Sequence, residues 1–532
     1  MGNKAHIIVQ ALVLTLALSC STRHPSLPEV LPNDTEASMD SIAVKQEANS
    51  FPDTMLPSAE ALFYRIDTLA KEVVSSLEGT EDFYQDADGI FTFRGSPSRN
   101  PNFFGRLHSD SLHITVDWVF ETAIDTTLTS HGRWGGGTGW TGQPLYIHWP
   151  DSIISQFQRA NDTLFSRITP QELVVASLCG QIYFLDFRTG QETRPSIDTR
   201  NVLKGTPSIH PLLNGNLYVG HGVPKNGPFG HIVFDLYQHK QKQFFGKDSS
   251  AWRRWGAYDS SPLVLGGFLF RPGENGTLYK YLIEADTLRL QSTFRYSLSP
   301  HKYSYGIESS LAACRNYGYI ADNTGNIICL NLNTLKPVWH YRNHDDTDAT
   351  PVIDMEEGIP YLYTGCEVDR QGSAGYSYFL KINGLTGEII WEDTLRGRRI
   401  FHNEKILDGG MYSSPLLGGG DCSDMIFSNF CINTLSEKGC LVAFDKRDGS
   451  IRYKTQTKQY SWSSPVAFYN DQDEMFLFTG DAAGYGYLIK GKTGEIVASK
   501  RIGSNFESSP IIVDDKIIIG SRGNKIFRIS LE

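Results

Sequence analysis

Two short signatures alternate along this chain, eight copies of each, from about residue 110 to residue 532. The first is a glycine, an alternating apolar run and, about ten residues on, a turn that is often Thr-Gly or Asp-Gly. Gly180-Gln181-Ile182-Tyr183-Phe184-Leu185-Asp186 leads in this way to Thr189-Gly190, Gly325 to Thr334-Leu335 and Gly375 to Thr386-Gly387. Gly439 leads to Asp448-Gly449 and Gly484 to Thr493-Gly494, and looser copies start at Gly230, Gly276 and Gly523. The second signature is a pair of small residues, a proline and an apolar strand. It reads Ser260-Ser261-Pro262, Ser413-Ser414-Pro415, Ser463-Ser464-Pro465 and Ser508-Ser509-Pro510. Its variants are Gly142-Gln143-Pro144, Gly205-Thr206-Pro207, Ser309-Ser310-Leu311 and Ala349-Thr350-Pro351.

A period of two means strands with one face in a core, and the turn dipeptides supply the backbone freedom of tight hairpins. Proline is tolerated at the first residue of a strand, and small residues suit a crowded innermost strand. Eight such units predict an all-β protein, an eight-bladed β-propeller with four-stranded antiparallel blades. An outer strand follows each turn, with tryptophan in Lys336-Pro337-Val338-Trp339 and Glu388-Ile389-Ile390-Trp391. Asp117-Trp118-Val119-Phe120-Glu121 has the character of that strand but precedes the first full copy, and the last copy lacks one. The front of the chain is therefore expected to complete the eighth blade and remove both open sheet edges. No helical period separates the strands.

Ahead of the repeats the chain changes character three times. Residues 1–20 carry Lys4, an apolar run from Ile7 to Leu18, and Ala17-Leu18-Ser19-Cys20. The run is too short to span a membrane and fits a signal peptide; the small residues before Cys20 resemble the bacterial lipobox, in which the cysteine is lipidated. Residues 21–57 hold Pro25, Pro28, Pro32, Pro52 and Pro57 among polar residues and read as a flexible linker. In the segment 58–109, Leu62, Ile66, Leu69, Val73 and Leu77 recur at helical spacing and predict an amphipathic helix over 58–78. Ser21, Thr22, Arg23 and His24 supply no acidic export tag. The expected location is thus a bacterial outer membrane, lipid-anchored and periplasm-facing.

The formal charge of −10 argues against a nucleic-acid partner, because phosphate binding needs a basic surface. No apolar run after the N-terminus reaches transmembrane length. After Cys20 seven cysteines remain, so an oxidising compartment leaves at least one unpaired; Cys422 and Cys431 flank a short segment that a loop disulfide could close. No Cys/His spacing resembles a zinc site. Gly135-Gly136-Gly137-Thr138-Gly139 lacks the following lysine of a phosphate loop.

The pattern Gly-x-apolar-x-x-apolar-Asp-x-x-Thr-Gly-x-x-x-Trp, followed by Ser-Ser-Pro, resembles the PQQ-type (pyrroloquinoline-quinone) repeat propellers over roughly residues 90 to 532. The lead-in Phe91-Thr92-Phe93-Arg94-Gly95-Ser96-Pro97-Ser98-Arg99-Asn100 is similar to that family's start. The resemblance implies one of two roles: quinoprotein dehydrogenase, or BamB-like lipoprotein scaffold of outer-membrane assembly. The dehydrogenase branch implies a disulfide between adjacent cysteines over the cofactor, a tryptophan beneath it, calcium ligands and an aspartate base. No two cysteines here are adjacent and no Cys-x-x-Cys-His haem motif occurs. The expectation is therefore a chain without PQQ, calcium or another metal, and without catalytic residues: a scaffold for an envelope protein partner, such as an outer-membrane barrel machine. The alternatives are a glycan or small-ligand binding propeller and a divergent PQQ-dependent dehydrogenase.

In a propeller the loops entering the innermost strands converge on one mouth of the central channel. The residues three before each proline, or before Leu311, are Thr141, Lys204, Asp259, Glu308, Asp348, Tyr412, Trp462 and Glu507. Their neighbours include Trp140, Arg254, Trp255, Tyr258, Tyr303, Tyr305, Tyr460 and Phe506. The candidate binding mouth is Trp140, Lys204, Arg254, Trp255, Asp259, Glu308, Asp348, Tyr412, Trp462 and Glu507. Four carboxylates around an axis can hold a cation or a basic segment of a partner. Long insertions near 220–230, 366–375 and 422–439 are further places for specificity.

Overall fold

A computed structural model describes residues 62–69, 77, 83–109, 112–299, 304–402 and 405–532, all within one unit, Asn49–Glu532. Residues 1–20 with the expected signal peptide and lipidation site Cys20, the segment 21–57 expected as a linker, and Tyr303 lie outside the described residues.

Eight four-stranded antiparallel sheets form a ring. Blade 1 is Leu145–His148, Gln171–Ala176, Gln181–Asp186 and Glu192–Asp198, counted from the axis outward. Blades 2 to 7 repeat the order, with innermost strands Ser208–Ile209, Leu263–Leu265, Ala312–Cys314, Val352–Glu356, Leu416–Leu417 and Val466–Tyr469. Blade 8 has Ile511–Val513, Lys516–Ser521 and Lys525–Leu531, and its outer strand is Ile114–Glu121 from the front of the chain. Trp118 pairs there with Arg528, so the ring closes as the repeats predict.

Innermost strands bring unpaired backbone groups to the axis, where they must find partners. The small-residue signature supplies one set. The N–H of the residue before the proline donates to the hydroxyl at the same position of the next blade: Gln143 to Thr206 (3.0 Å), Ser261 to Ser310 (2.9 Å), Ser310 to Thr350 (2.9 Å), Ser414 to Ser464 (3.0 Å) and Ser464 to Ser509 (3.1 Å).

The lead-in segment supplies the other set by passing every blade in turn. Gly89–Ile90 pairs with blade 1. The Phe91 carbonyl accepts from Ile209 in blade 2 at 2.8 Å, and Thr92 Oγ1 donates to the Pro262 carbonyl of blade 3 at 3.1 Å. Pro97 and Ser98 carbonyls accept from Ala313 and Ile353 of blades 4 and 5 at 2.8 and 2.9 Å. Arg94 donates to the carbonyls of Pro415 (2.6 Å) and Pro465 (3.0 Å) in blades 6 and 7, and to that of Arg99 (3.2 Å). Gly105–Arg106 runs parallel to the blade 7 inner strand, and the Arg106 N–H reaches Asp515 of blade 8 at 2.6 Å. Burial pulls the Arg94 guanidinium down to about 9 and that of Arg99 to about 10, so both stay charged at neutral pH.

Neighbouring blades are locked at their outer edges by one recurring contact. A donor on the outer strand of one blade reaches the carbonyl of the second turn residue of the next. Trp118 reaches Phe187 (3.1 Å), Arg194 reaches Leu236 (2.7 Å), Trp339 reaches Gly384 (2.8 Å), Trp391 reaches Lys446 (3.0 Å) and the Tyr453 hydroxyl reaches Gly491 (2.6 Å). The indoles of Trp118, Trp339 and Trp391 lie on Gly190, Gly387 and Gly449. A Cβ at these positions would sit 2.6 to 2.8 Å from the ring, and the backbone there has φ of +70° to +76°. That double demand is why the turns end in glycine. Apolar clusters fill the space between blades, as where Tyr319 and Trp339 meet Leu380 and Ile382.

Three expectations are corrected. Within 58–78, Phe63–Thr68 is a strand and not part of an amphipathic helix; it pairs antiparallel with the outer strand of blade 3, Phe63 opposite Ser297 and Thr68 opposite Ser292. That exposed edge offers backbone partners a helix cannot use, and Phe, Tyr, Ile and Thr favour the extended form. The apolar spacing still marks buried anchors, Leu62 and Leu77. A helix does form where none was expected, at Asp151–Ala160 in blade 1, with Phe157 buried against Trp149. Cys422 and Cys431 are not bridged, and none of the seven described cysteines forms a disulfide; Cys431 is inside a strand opposite Gly439 while Cys422 packs in a different cluster.

Replacing Arg94 with methionine leaves three buried carbonyls without their donor, at about 1–3 kcal/mol each. Chemical denaturation is expected to show a loss of about 3 kcal/mol or more, against about 1 kcal/mol for Trp118→Phe, which keeps the ring and loses one hydrogen bond. A loss below about 1 kcal/mol for Arg94→Met would remove the lead-in from its structural role.

Candidate functional site: the axial cavity

The lead-in closes the axis on one side, and Phe93 forms part of the floor of a narrow space of about 20 Å³. Trp140, Glu308, Asp348 and Tyr412 line both this space and a wider cavity of about 510 Å³. The wider volume falls within the roughly 300–1,000 Å³ usual for small-molecule sites.

One wall is aromatic. Trp140 meets Trp134, Trp462 and Tyr412 edge-on, with centroids 6.2, 5.5 and 6.5 Å away, and Tyr412 stacks on Trp462 at 4.5 Å. Trp140 and the adjacent Thr141 have left-handed backbones, φ +53° and +57°, a conformation that costs non-glycine residues energy and gathers at functional sites. Across the cavity Trp255 lies 5.2 Å from His131 and gives its indole N–H to Glu274 at 2.9 Å.

The other wall is acidic. Asp259, Glu274, Glu308, Asp346, Asp348, Glu367, Asp369 and Asp408 line the two spaces, against the cations Lys204, Arg253 and Arg254. Lys204 forms a buried ion pair with Asp259, and its Nζ lies 4.1 Å from the centre of the Trp140 ring. Burial pulls the Lys204 ammonium down, but the carboxylates of Asp259, Glu274 and Glu308 outweigh it and the net shift is upward. Burial also raises Glu274, Glu308, Asp346, Asp348 and Glu367, and neighbouring carboxylates add to it. Asp408 is pushed up to about 6 by burial and by Asp369, although Arg399 holds both, at 2.6 and 3.0 Å.

The ring position three residues before the proline thus brings Lys204, Asp259, Glu308, Asp348, Tyr412 and Trp462 together, with Trp140, Trp255 and Arg254 beside them. Glu507 does not join them: its carboxylate is taken by Arg522 at 3.1 Å and Asn505 at 2.9 Å. Tyr258, Tyr305 and Phe506 are packing residues of the blade interior. Glu274, Asp346, Glu367, Asp369 and Asp408 escaped the sequence reading. Asp346 stands two residues before a ring position, and Glu367 and Asp369 fall in the 366–375 insertion, which were the available signals. Glu367 is carried by the short strand Glu367–Val368, which pairs with Gly409–Gly410. A Cβ at Gly410 would meet the Glu367 backbone at 2.6 Å, so only glycine permits this approach.

The fold and this cavity define the protein as an eight-bladed β-propeller. Its solved structural neighbours include a europium-containing methanol dehydrogenase, 12% identical with a TM-score of 0.58, covering 85% of this chain and 100% of that one. The quinohemoprotein alcohol dehydrogenase ADHIIG from Pseudomonas putida HK5 is 11% identical with a TM-score of 0.57, covering 86% and 83%. BamB from Moraxella catarrhalis is a looser neighbour, 14% identical with a TM-score of 0.46, covering 68% and 93%. At such identities the likeness is one of fold. No protein-family profile matches the sequence. The human beta-alanine-activating enzyme is 24% identical over 94 residues, 17% of this chain and 9% of that protein, and its mouse counterpart gives the same identity over 8%. The matched stretch is thus under a tenth of either relative.

The dehydrogenase resemblance implies a quinone cofactor under a disulfide. Among the described residues no cysteine lines the cavity, so the sulfur cap has no counterpart, whereas the clustered carboxylates fit a cation.

Glu367 titrates higher in the folded chain than in the unfolded one, where about 4.3 is usual. From that pH upward the folded protein holds a proton the unfolded chain has lost, so stability falls as pH rises. Glu367→Gln is expected to raise the melting temperature at pH 8 in chelator-treated buffer, with the gain vanishing towards pH 4. A gain that is constant across this range would show that the carboxyl is not strained by ionisation.

Proposed function

We propose that this propeller is a ligand-binding module whose axial cavity takes a small polyhydroxylated ligand of glycan type, neutral or amino-substituted. The observation that carries the reading is one cavity of about 510 Å³ lined by the indoles of Trp134, Trp140 and Trp255 together with a bank of carboxyls. Indole surfaces pack on the C–H faces of a sugar. The carboxyl groups offer acceptors, and Arg253 and Arg254 offer donors, so hydroxyls of either sense find partners. The excess of acidic groups disfavours an anionic ligand.

Calorimetry with glucose, N-acetylglucosamine, glucosamine, maltose, cellobiose and glucuronate tests this. Saturable binding of at least one neutral or amino saccharide is expected, none of glucuronate, and a loss of at least tenfold, about 1.4 kcal/mol, in both Trp140→Ala and Trp255→Ala. No binding up to millimolar concentration, or binding indifferent to both substitutions, would sink the reading.

A second reading, an envelope scaffold, is favoured by exposed apolar side chains on a short hairpin just ahead of the cavity residue Asp408. The hairpin Ile400–His402 with Lys405–Leu407 exposes Phe401 at 75% and Ile406 at 58%, and Leu435 stands at 95%. Single exposed apolar residues are ordinary, but a group of them on one projection suits a protein partner. With Cys20 lipidated, the propeller would sit at a bacterial outer membrane facing the periplasm. Cys20→Ala is then expected to move the protein from the membrane fraction to the soluble one; an unchanged distribution would exclude the lipid anchor.

A further inference from the structure

Away from the axis, a second space of about 450 Å³ opens between blades 1 and 2. Its origin is an irregularity of the repeat. In the other seven blades the outer strand slips register once against its neighbour. In blade 1 the outer strand Glu192–Asp198 slips twice, between Glu192 and Arg194 and again between Arg194 and Ile197. Bulges of this kind re-aim side chains and are over-represented beside functional sites. Ile197, which follows the second slip, lines the space together with Ile232, Phe234 and Phe244 of blade 2.

Two imidazoles border the same space, each with one nitrogen unanswered. His221, only 1% exposed, and His239 both line it. His221 Nε2 and His239 Nδ1 are buried without a hydrogen-bond partner, a costly condition that native proteins keep for a reason. The other bonds of each ring fix the sense of the open nitrogen. His221 Nδ1 accepts the Gly230 N–H at 3.2 Å and has the Asn201 amide nitrogen at 3.3 Å, so its proton is on Nε2, a donor. His239 is hydrogen-bonded to the backbone of Pro195, which has only a carbonyl to offer, so its proton is spent there and Nδ1 is an acceptor. Burial first, and then Arg271 and Arg194 respectively, pull both rings down to about 4 against a weaker upward pull from the Thr199 and Pro195 backbones, so both are uncharged at neutral pH. The charged residues that line the space, Asp198, Arg200 and Lys240, are exposed, which leaves the imidazoles among apolar side chains and makes a charged group there expensive.

We propose that this inter-blade space is a second binding site, and that it takes a small uncharged molecule with an apolar body and a hydroxyl group, of the class of phenols and aryl alcohols. A hydroxyl both takes and gives a hydrogen bond, the two roles that His221 and His239 leave open, and the volume is within the usual range for small-molecule sites. The apolar body packs on Ile197, Ile232, Phe234 and Phe244. No residue of this space lines the axial cavity, so the inference stands apart from the saccharide reading.

The full-length protein is titrated by calorimetry with 4-methylphenol and benzyl alcohol, and with toluene and benzoate as apolar and anionic controls. At least one of the two hydroxyl compounds is expected to bind once per chain, at least tenfold more tightly than either control. Two variants, checked for folding by circular dichroism, are each expected to weaken that binding at least tenfold. One is His221→Phe, or His221→Leu should the first not fold; the other is Ile197→Trp, which fills the space and leaves both imidazoles in place. Absence of binding at millimolar concentration would assign the space to water and overturn the site. Toluene bound as tightly would show the imidazoles idle, and benzoate bound more tightly would show that Arg200 and Lys240 govern recognition; either result would overturn the ligand class. Affinity unchanged in both variants would put the ligand elsewhere and overturn the site as well.

Discussion

Eight sheet edges pointing at one axis create a hydrogen-bond problem, and its solution governs the rest of the molecule. Each innermost strand arrives with backbone groups that no further strand of its own blade can pair, in a place too narrow for bulky side chains. A hydroxyl on a two-atom side chain solves half of it, by accepting the N–H of the previous blade without filling the axis, as Ser310 and Ser464 do. The carbonyls need donors, and these come from Thr92, Arg94 and Arg99 of the lead-in, buried to 1% exposure or less. Guanidinium suits the task because it carries five donors in a rigid fork and can satisfy carbonyls of different blades at once.

The same reasoning explains why so much of the fold was readable. Ser-Ser-Pro and Thr-Gly are local words with a global cause, the axial hydroxyl ring and the seat for the neighbouring blade's indole. Because the cause recurs at every blade, the words recur, and Trp118 standing ahead of the first copy betrayed the closing strand. Junctions that solve the outer lock with another donor, Arg194 in blade 1 or Tyr453 in blade 6, are silent in a search for tryptophan. The lead-in was visible as a family-like segment, but its path across all eight blades was not, since backbone carbonyls leave no mark on sequence. Phe63–Thr68 was misread for a related reason. Its period fits a helix, and only an unpaired edge on blade 3, some 230 residues away by the partners of Asp67 and Arg295, decides otherwise.

The cavity was legible to the extent that the repeat dictates it. Counting back from each proline gives a ring, and seven of its eight residues line the two spaces. Glu507 fails because Arg522 competes for it, a contact between loops that the periodicity does not encode. Glu367 was marked only by the insertion that carries it, and Asp408, just past the strand Lys405–Leu407, by nothing in the repeat. Specificity in a repeated fold resides in such departures: the regular ring supplies a platform, and the irregular strands add what distinguishes one mouth from another.

A sealed axis gives the acidic wall its meaning. With Phe93 of the lead-in lining the narrow end, the carboxylates sit among buried groups, and low polarizability around them magnifies every charge. A chain selected for stability alone would replace a buried group such as Glu367 by a neutral one. Instead the structure ties the Glu367 backbone to Asp346, wraps the next turn around Asp345 and places Gly410 where nothing larger fits. Stabilising the surroundings of a group that is itself strained is how proteins hold functional sites in place. Lys204 makes the point from the opposite sign: a lysine is among the least buried of residue types unless paired, and here it is kept between an indole and Asp259. Within the cavity the chain thus answers one of its own buried carboxylates with one of its own buried cations.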